Sequence, residues 1–597
     1  MISVLFKKFT VGLHSIVILV SAFFSIASYA AYDAAKNPVT LTIVPEHRDH
    51  IIANFNPFSK LSMPTTHQFM FEPLIIFNTL QNNKPEYRLA VHYRLDKDLK
   101  GISFTLREGV KWSDGTPFTA DDVLYSYSLV QQHPELDAHA INQWLEHIEK
   151  RGPYEVYMKL KKPNALVAYT LVLQPIVPKH QWEKVKDIAT FANATPIGTG
   201  PFTEITELKD DAYLQCANPQ FWQADQRHID CLRYPKVSNN DEFIRGIANG
   251  EFDWSGGFIP DIDRRYASFS PHFKYWLPPA SNISLMFNFK TTHPEIQAVF
   301  EQVDFRRAVS MSIQRQLLID IAAFGQGEPS QYASGVSPQF KNWVDPISTE
   351  KYLPFMTFNP LLAANRLDKL GIVDHDGDGW RELPSGEPLS LSLLTPYGWS
   401  DFNTTALLVS EMLGRIGIHV EPEESEFSDF VQRLADGQYQ LALTNYPEGS
   451  TPFKYFDTAF NSDYQSSQFP RYAMHFYQDP QIDHLLTQFP LATNAYQRLA
   501  IIRQLNRITA SLQITVPLYN TVQFYQYNTE RFEGWFNENN PIASPLAWPQ
   551  VPERLLHVLA LRPKKLAASD SNSTTDSTSL SSALPDAEPV QTQQQHQ

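Results

Sequence analysis

The sequence predicts an α/β fold. Two kinds of apolar pattern support this prediction, short strand-like runs and segments with apolar residues at helical spacing, and the two alternate along residues 385–445. Strand-like runs there lie at 388–394, 417–421 and 439–444, and the helix-like segment 403–415 separates the first two. Strands separated by a helix are typical of βαβ units, which form parallel sheets.

A helix with a defined start is predicted over residues 118–132. Thr119 is placed to cap its first turn, and Asp122 lies three positions later, which is the spacing of a capping box. Apolar residues then recur at helical spacing along the segment. Further strands are predicted at 40–44 and 283–289, and further helices at 304–320 and 360–370.

Length and composition narrow the functional classes. The chain has 597 residues, which is enough for several domains. It carries 64 acidic and 49 basic residues, a net charge of −15, which argues against a nucleic-acid-binding protein. Aromatic residues reach 13% and charged residues only 19%, the reverse of a disordered chain. We therefore expect a folded multidomain protein that does not bind nucleic acid.

Residues 1–30 are predicted to be a secretory signal peptide. A basic pair at 7–8 precedes an apolar run over 11–27, and Ser28 and Ala30 supply the small residues of a cleavage site. The alternative is an uncleaved membrane anchor, but the run is shorter than the ~20 residues that a spanning helix needs. We expect cleavage after Ala30 and a mature protein without an anchor. At the other end, the Ser-, Thr- and Gln-rich segment 563–597 is predicted to be a disordered polar tail.

The two cysteines of this exported chain, Cys216 and Cys231, are candidates for a disulfide. A bond over this spacing would close a hairpin or loop and contribute ~3 kcal/mol in the chain-entropy account. Two buried free thiols are the alternative, because the sequence does not fix the distance between the two Cα atoms.

The common catalytic motifs are absent from the sequence. It contains no Gly-x-Ser-x-Gly, no His-Glu-x-x-His and no phosphate-binding loop of the Walker type. His475, in YAMHFY, is interpreted as a packed or hydrogen-bonded residue rather than a base. We therefore expect neither an enzyme nor a bound cofactor.

An acidic turn is a candidate metal site. Asp374, Asp376 and Asp378 occupy the first, third and fifth positions of a calcium loop, and Gly379 occupies the sixth. The twelfth position, where such a loop carries Glu, is Ser385. The expectation is an Asp/Gly-rich turn without a metal, and calcium binding is the alternative.

Two tryptophans lie in loop-like sequence, Trp399 in TPYGWSDF and Trp548 in SPLAWPQ. An aromatic ring outside a core can stack on the apolar face of a sugar or on a planar side chain. Asp401, Asn403 and Asn445 are nearby polar candidates for bonds to hydroxyl or amide groups. The alternative is that both rings pack in a core.

Residues 103–127, SFTLREGVKWSDGTPFTADDVLYSY, resemble the signature of the family 5 extracellular solute-binding proteins. These are the binding components of ABC importers for oligopeptides, dipeptides, nickel and oligosaccharides. Further similar segments are PIGTGPF at 196–202, NPQFW at 218–222 and VDFRRAVSMSIQR at 303–315. The resemblance covers about 38–562.

This resemblance implies a two-lobed α/β periplasmic binding protein of type II, similar to cluster C, with an extra subdomain in the first lobe and a hinged ligand cleft. The implied division is a signal peptide at 1–30, lobe I at 31–75, 188–277 and 519–562, the extra subdomain at 76–187, lobe II at 278–518 and the tail at 563–597. It also implies a periplasmic location, a monomer and an inner-membrane ABC permease as the partner. A sensor histidine kinase that reads the closed form is a further implied partner.

Several segments resemble the chitin-oligosaccharide-binding and cello-oligosaccharide-binding members, among them NFNPF at 54–58, YGWSDFN at 397–403 and PRYAMHFY at 470–477. The resemblance implies that Trp399 and Trp548 face each other across the cleft and clamp sugar rings. The side chains implied to bond or stack with the sugar are Asp401, Asn445, Arg471 and Tyr472, with Asn403 as a further candidate.

Two positions depart from this pattern, and a third adds a doubt. Ala53 stands before Asn54, where a longer polar or basic residue is expected in the chitin binders. Pro447 stands where the chitooligosaccharide binders carry an aromatic residue, so one stacking surface is missing. Glu448 lies in the turn where peptide-binding relatives place an acidic residue for the α-amine of a peptide. An oligopeptide is therefore the alternative ligand. The expectation for Glu448 itself is a solvated turn carboxylate, and a contact to a peptide amine is the alternative.

Overall fold

The computed structural model describes residues 38–48, 50–59, 61–449, 451–465 and 472–564. The predicted signal peptide with its cleavage site, Arg471 and the tail beyond residue 564 lie outside the described residues. Within the part of the chain that is described, no helix is both long enough and apolar enough to cross a bilayer.

Strands and helices alternate along the chain. The strands are β1 Thr40–Val44, β2 Ile75–Asn78, β3 Lys84–Tyr87, β4 Ala90–Leu95, β5 Gly101–Leu106, β6 Leu145–Gly152, β7 Glu155–Leu160, β8 Phe202–Leu208, β9 Ala212–Ala217, β10 Cys231–Pro235, β11 Trp254–Ser255, β12 Phe273–Trp276, β13 Pro279–Phe287, β14 Glu328–Pro329, β15 Ser390–Pro396, β16 His419–Ser425, β17 Leu441–Asn445, β18 Thr515–Val522, β19 Tyr525–Asn528, β20 Phe532–Glu533 and β21 Arg562–Pro563.

The α-helices are α1 Ala120–Gln132, α2 Val167–Leu171, α3 Lys179–Trp182, α4 Asn240–Ala248, α5 Ile262–Arg265, α6 Pro294–Glu301, α7 Val303–Ser312, α8 Arg315–Ile321, α9 Pro346–Met356, α10 Pro360–Lys369, α11 Ser400–Gly414, α12 Phe427–Asp436, α13 Phe453–Phe460, α14 Pro480–Gln488, α15 Ala495–Leu512 and α16 Arg554–Ala560.

Two large sheets organise the two lobes of this α/β fold. The sheet of lobe I has seven strands in the order β12-β19-β11-β1-β10-β9-β8, and that of lobe II has six in the order β14-β18-β13-β17-β15-β16. A separate four-stranded antiparallel sheet, β4-β5-β7-β6, packs into the same apolar core as the lobe I sheet. The lobe II sheet has a core of its own. The exact lobe boundaries stay a prediction.

The predicted βαβ region is confirmed in lobe II. Strand β15 pairs in parallel with both β16 and β17, and α11 and α12 form the connections. The capping box of α1 is also present, because the Asp122 carboxylate accepts the backbone N–H of Thr119 at 2.9 Å.

The single helix predicted over 304–320 is wrong. The chain forms α7 and α8 instead, with Ile313 in extended conformation between them. The buried guanidinium of Arg315 donates hydrogen bonds to the carbonyl oxygens of Pro517, Ser310 and Met356. These tertiary bonds fix the start of α8, and apolar spacing along the sequence carries no information about them.

The chain crosses between the lobes twice, at the β12–β13 connection and at the β18–β19 connection. The two crossings lie side by side, because the Gln523 N–H donates to the Pro278 carbonyl at 2.7 Å. Each crossing is two residues long, so the lobes are joined by a short pair of segments that can serve as a hinge.

Candidate functional site

Trp548 lines a cavity of about 340 Å³ in lobe I. Its ring is half-buried, and its Nε1–H donates to the Gly256 carbonyl at 3.0 Å. A Cβ on residue 256 would lie 2.7 Å from that nitrogen, so the approach requires glycine at this position. The cavity wall consists of Pro45, Glu46, His47, Asn240, Gly256, Gly257, Phe258, Trp548, Pro549 and Gln550.

The segment that carries Trp548 is held without regular secondary structure. Trp254 on β11 donates its indole N–H to the Pro545 carbonyl at 2.8 Å, and the buried Arg554 donates to the Ala547 carbonyl at 3.1 Å. Together with the bond from Trp548 to Gly256, these make three hydrogen bonds, which fix the backbone and the ring over the four residues 545–548. The ring is therefore a pre-organised surface rather than a mobile side chain.

The cavity wall offers polar atoms but little uncompensated charge. Glu46 accepts a hydrogen bond from the Arg48 guanidinium at 2.6 Å, so its carboxylate is paired. His47 packs against Phe243, with the ring centroids 5.7 Å apart. An aromatic surface beside paired or neutral polar groups suits a neutral ligand.

Trp399 precedes α11 at the carboxyl end of β15 and is half-buried against the core of lobe II. Its ring meets Phe402 edge to face, with centroids 5.1 Å apart. Burial raises the pKa of the neighbouring Asp401 carboxyl. The Oδ1 of Asn403 is buried and has no hydrogen-bond partner among the described residues.

Asn445 and Glu448 lie at and beyond the end of β17. The Asn445 amide donates to the Ser281 hydroxyl at 3.4 Å. Tyr472 lies farther along the chain, with its ring 5.7 Å from that of Tyr464 and 5.6 Å from the Lys454 ammonium.

The structure groups Trp399, Asp401 and Asn403 at the start of α11. Whether Trp399 faces Trp548 across the cleft stays a prediction.

Glu448 is not a solvated turn carboxylate. Its Oε2 accepts hydrogen bonds from the Ser337 hydroxyl at 2.7 Å and the Gln339 amide at 2.6 Å. Its Oε1 is buried without a partner among the described residues. Burial raises the pKa of this carboxyl to about 7. The group therefore has one oxygen ready to interact with a hydrogen-bond donor.

The acidic turn collects a fourth carboxylate that the sequence analysis did not include. The side chains of Asp374, Asp376 and Asp378 and the buried Glu382 bring carboxylate oxygens within 4.8 Å of one another. The same groups also support the turn itself, since Asp374 accepts the Gly377 N–H at 2.7 Å. Calcium binding stays the alternative to a structural turn.

The predictions for the cysteine pair and for His475 are confirmed. Cys216 and Cys231 form a disulfide between directly paired residues of β9 and β10, with Cα atoms 4.0 Å apart. His475 is fully buried, with its Nε2 2.7 Å from the Ala459 carbonyl, and burial lowers its pKa to about 4. Both groups therefore have structural roles in this fold.

Sequence reasoning missed several residues around these sites. They are Ser337 and Gln339, which hold Glu448, the segment Gly256–Ile259 beside Trp548, and Gln326, which contacts that segment from lobe II. The Gly-Gly pair at 256–257 was an available signal, because adjacent glycines often mark a close backbone approach. No local signal exists for the contacts of Ser337, Gln339 and Gln326.

Two α/β lobes joined by paired crossings, with a cavity beside Trp548, are the architecture of a substrate-binding protein of the periplasmic type. The sequence profile of the bacterial extracellular solute-binding proteins, family 5 (middle region), matches residues 84–468. The chain belongs to this family, whose members are the substrate-binding proteins of ABC transporters. Family membership is consistent with a periplasmic location.

Individual relatives are distant. The chain is 25% identical to the oligopeptide-binding protein AppA of Bacillus subtilis over 59% of its own length and 64% of that protein. Its fold is similar to a periplasmic oligopeptide-binding protein of Thermotoga maritima, with a TM-score of 0.79, 24% identity and coverage of 89% of this chain and 100% of the other. A mannohexaose-bound structure from the same organism gives a TM-score of 0.75, with the same identity and coverage.

Proposed function

We propose that this protein captures a neutral β-1,4-linked oligosaccharide, with chitooligosaccharides first, between its two lobes and delivers it to an inner-membrane ABC permease. The observation that carries the proposal is the Trp548 ring, which lines a 340 Å³ cavity and is fixed by its bond to Gly256. Stacking of an aromatic face on the apolar side of a sugar ring suits such a surface.

The chemistry of both lobes supports a ligand rich in hydroxyl and amide groups. Lobe I offers the fixed aromatic surface beside the paired Glu46, and lobe II offers the unpaired acceptor Oδ1 of Asn403. Trp399, Asp401, Asn445, Arg471 and Tyr472 are the other proposed contacts. The mannohexaose-bound structure indicates that a protein with this fold can accommodate an oligosaccharide.

An oligopeptide is the second candidate ligand, and Glu448 favours it. The buried, unpaired Oε1 of this carboxyl would form a strong charge-assisted bond with a cationic amine. Such a ligand would keep the carboxyl ionised at neutral pH, whereas a neutral sugar would leave its raised pKa in place. The oligopeptide-binding relative AppA is consistent with this candidate.

The permease is the expected partner in either case, because a family 5 binding protein hands its ligand to a transporter. A sensor histidine kinase that reads the ligand-closed form is a second proposed partner. The kinase would read the same ligand-closed form as the permease. A kinase partner therefore does not discriminate between an oligosaccharide and an oligopeptide ligand.

The test is a thermal-shift panel on the exported protein with chitobiose to chitotetraose, cello-oligosaccharides and mixed peptides. A ligand at 100 times its dissociation constant adds about 2.7 kcal/mol of stability, which moves the melting temperature measurably. A shift with oligosaccharides supports the first proposal. A shift with peptides alone contradicts it and favours the amine-binding role of Glu448.

A further inference from the structure

A short loop of lobe II contacts lobe I next to the Trp548 cavity. This loop, Phe324–Gly327, is called the 324–327 loop and connects α8 to β14. Gln326 is 8% exposed, and its Nε2 donates to the Ile259 carbonyl of lobe I at 2.8 Å. The Phe324 ring lies 6.2 Å from the ring of Phe258. One hydrogen bond and one aromatic pair therefore join the two lobes at this point.

The lobe I side of this contact is the segment that holds Trp548. The segment 256–259 follows β11, and its Gly256 carbonyl accepts the Trp548 indole N–H. The side chain of Gln526 binds both backbone groups of Gly257, at 3.2 Å and 2.9 Å. From the other lobe, Gln326 binds Ile259. The segment 256–259 thus borders the ligand cavity on one side and is bonded to lobe II on the other.

The backbone of the 324–327 loop is adapted to this position. Phe324 has φ +51°, a conformation that a bulky non-glycine residue rarely adopts. Gly325 and Gly327 also have positive φ. A Cβ on residue 327 would lie 2.5 Å from the Asn520 carbonyl, so the loop lies directly on β18. Strained backbone persists where the surroundings hold it and often marks a functional position.

Gln326 is not the residue that simple packing favours. Its Oε1 is buried and has no partner among the described residues, so the side chain brings an unpaired acceptor into the protein along with its donor. A leucine of similar volume would avoid that penalty. The amide N–H of Gln326 is therefore the group that explains a glutamine at this position, and it bonds to the Ile259 carbonyl.

We propose that Gln326 is a positioning residue for the ligand cavity. It fixes the segment 256–259 from lobe II, and through Gly256 it fixes the ring of Trp548. Contact between the lobes and the order of the aromatic surface are thereby coupled through one segment. This inference rests on the proposed function only in treating Trp548 as a ligand contact.

The first test needs no ligand. Hydrogen exchange of the unliganded protein, followed by mass spectrometry over residues 254–260, is compared for wild type, Gln326→Leu and Gln316→Leu. Gln316 is the matched control, since it is an exposed glutamine of α8 whose side chain bonds to Asp320 in the same helix. Gln326→Leu is expected to speed exchange in this segment at least fivefold, relative to both wild type and Gln316→Leu. Unchanged exchange overturns the inference.

The second test uses chitotetraose as the probe, in titration calorimetry. Gln326→Leu is expected to weaken binding threefold to tenfold, and to add nothing in a protein that already carries Trp548→Ala, because the two act through one segment. Additive losses overturn the inference. If Trp548→Ala leaves affinity unchanged, the proposed ligand contact fails, whereas the exchange measurement still decides the role of Gln326.

Discussion

Trp548 and Trp399 have the same kind of sequence surroundings but different structural settings. Trp548 has its indole nitrogen bonded to the Gly256 backbone and its ring on a cavity. Trp399 packs edge to face on Phe402 and is half-buried against the core of lobe II, as Trp548 is against the core of lobe I. A tryptophan flanked by Gly, Pro and Ser therefore indicates a loop, but the setting of its ring depends on further contacts, such as the bond to the distant Gly256 that fixes Trp548.

The largest expected difference between Trp548 and Trp399 is in their contribution to ligand affinity. Trp548→Ala should weaken oligosaccharide binding by ~1–3 kcal/mol, the scale of an aromatic anchor at an interface, because the stacking surface is removed. Titration calorimetry measures this change. Trp548→Phe, which keeps a ring, and Trp380→Ala, which removes a partly exposed tryptophan of lobe II, serve as controls. Equal affinity of wild type and Trp548→Ala contradicts the role of the ring.

A second effect concerns the carboxyl group of lobe II. The folded protein favours protonated Glu448, because burial raises its pKa to about 7 from an ordinary value of 4.5. The associated stability is complete below pH 4.5 and is lost as the pH rises through 7. Between pH 5 and 8, wild type should therefore lose roughly 2 kcal/mol of unfolding free energy relative to Glu448→Gln.

Urea unfolding at the two pH values measures this difference. The exposed Glu424 on β16 provides the control variant Glu424→Gln, which makes the same chemical change outside the buried surroundings of Glu448. If the unfolding free energies of Glu448→Gln and wild type change equally between pH 5 and 8, the fold does not favour the protonated carboxyl.

The smallest expected effect is on the packing of Trp399. Trp399→Leu keeps apolar volume but loses the edge-to-face contact with Phe402, which should lower the unfolding free energy by ~0.5–1.5 kcal/mol. Thermal or urea unfolding measures the change. A normal stability combined with a large loss of sugar affinity would make Trp399 a ligand contact like Trp548 and remove the contrast between them.

The parts of the fold that follow local patterns were predictable. Strands β15, β16 and β17 and their helices follow from apolar periodicity, and α1 follows from its capping box. The break between α7 and α8 was not predictable, since it depends on bonds from Arg315 to carbonyl oxygens as far along the chain as Pro517.

The same limit applies to the candidate site. Trp548 could be selected as a loop aromatic, but its partner Gly256 lies 292 positions away. Glu448 could be selected from the resemblance to peptide binders, but its burial depends on Ser337 and Gln339. Sequence patterns identify which side chains are available, whereas non-local packing decides which of them are fixed, buried or left unpaired.

The order of strands in the lobe I sheet has a consequence for biosynthesis. Strand β12 pairs only with β19, which lies beyond all of lobe II in the chain. A growing chain therefore completes the strands of lobe II before the sheet of lobe I can close, and Trp548 follows later still. The cavity beside Trp548 therefore depends on residues near the end of the folded chain, and a polypeptide that terminates after lobe II retains most of its length but lacks Trp548.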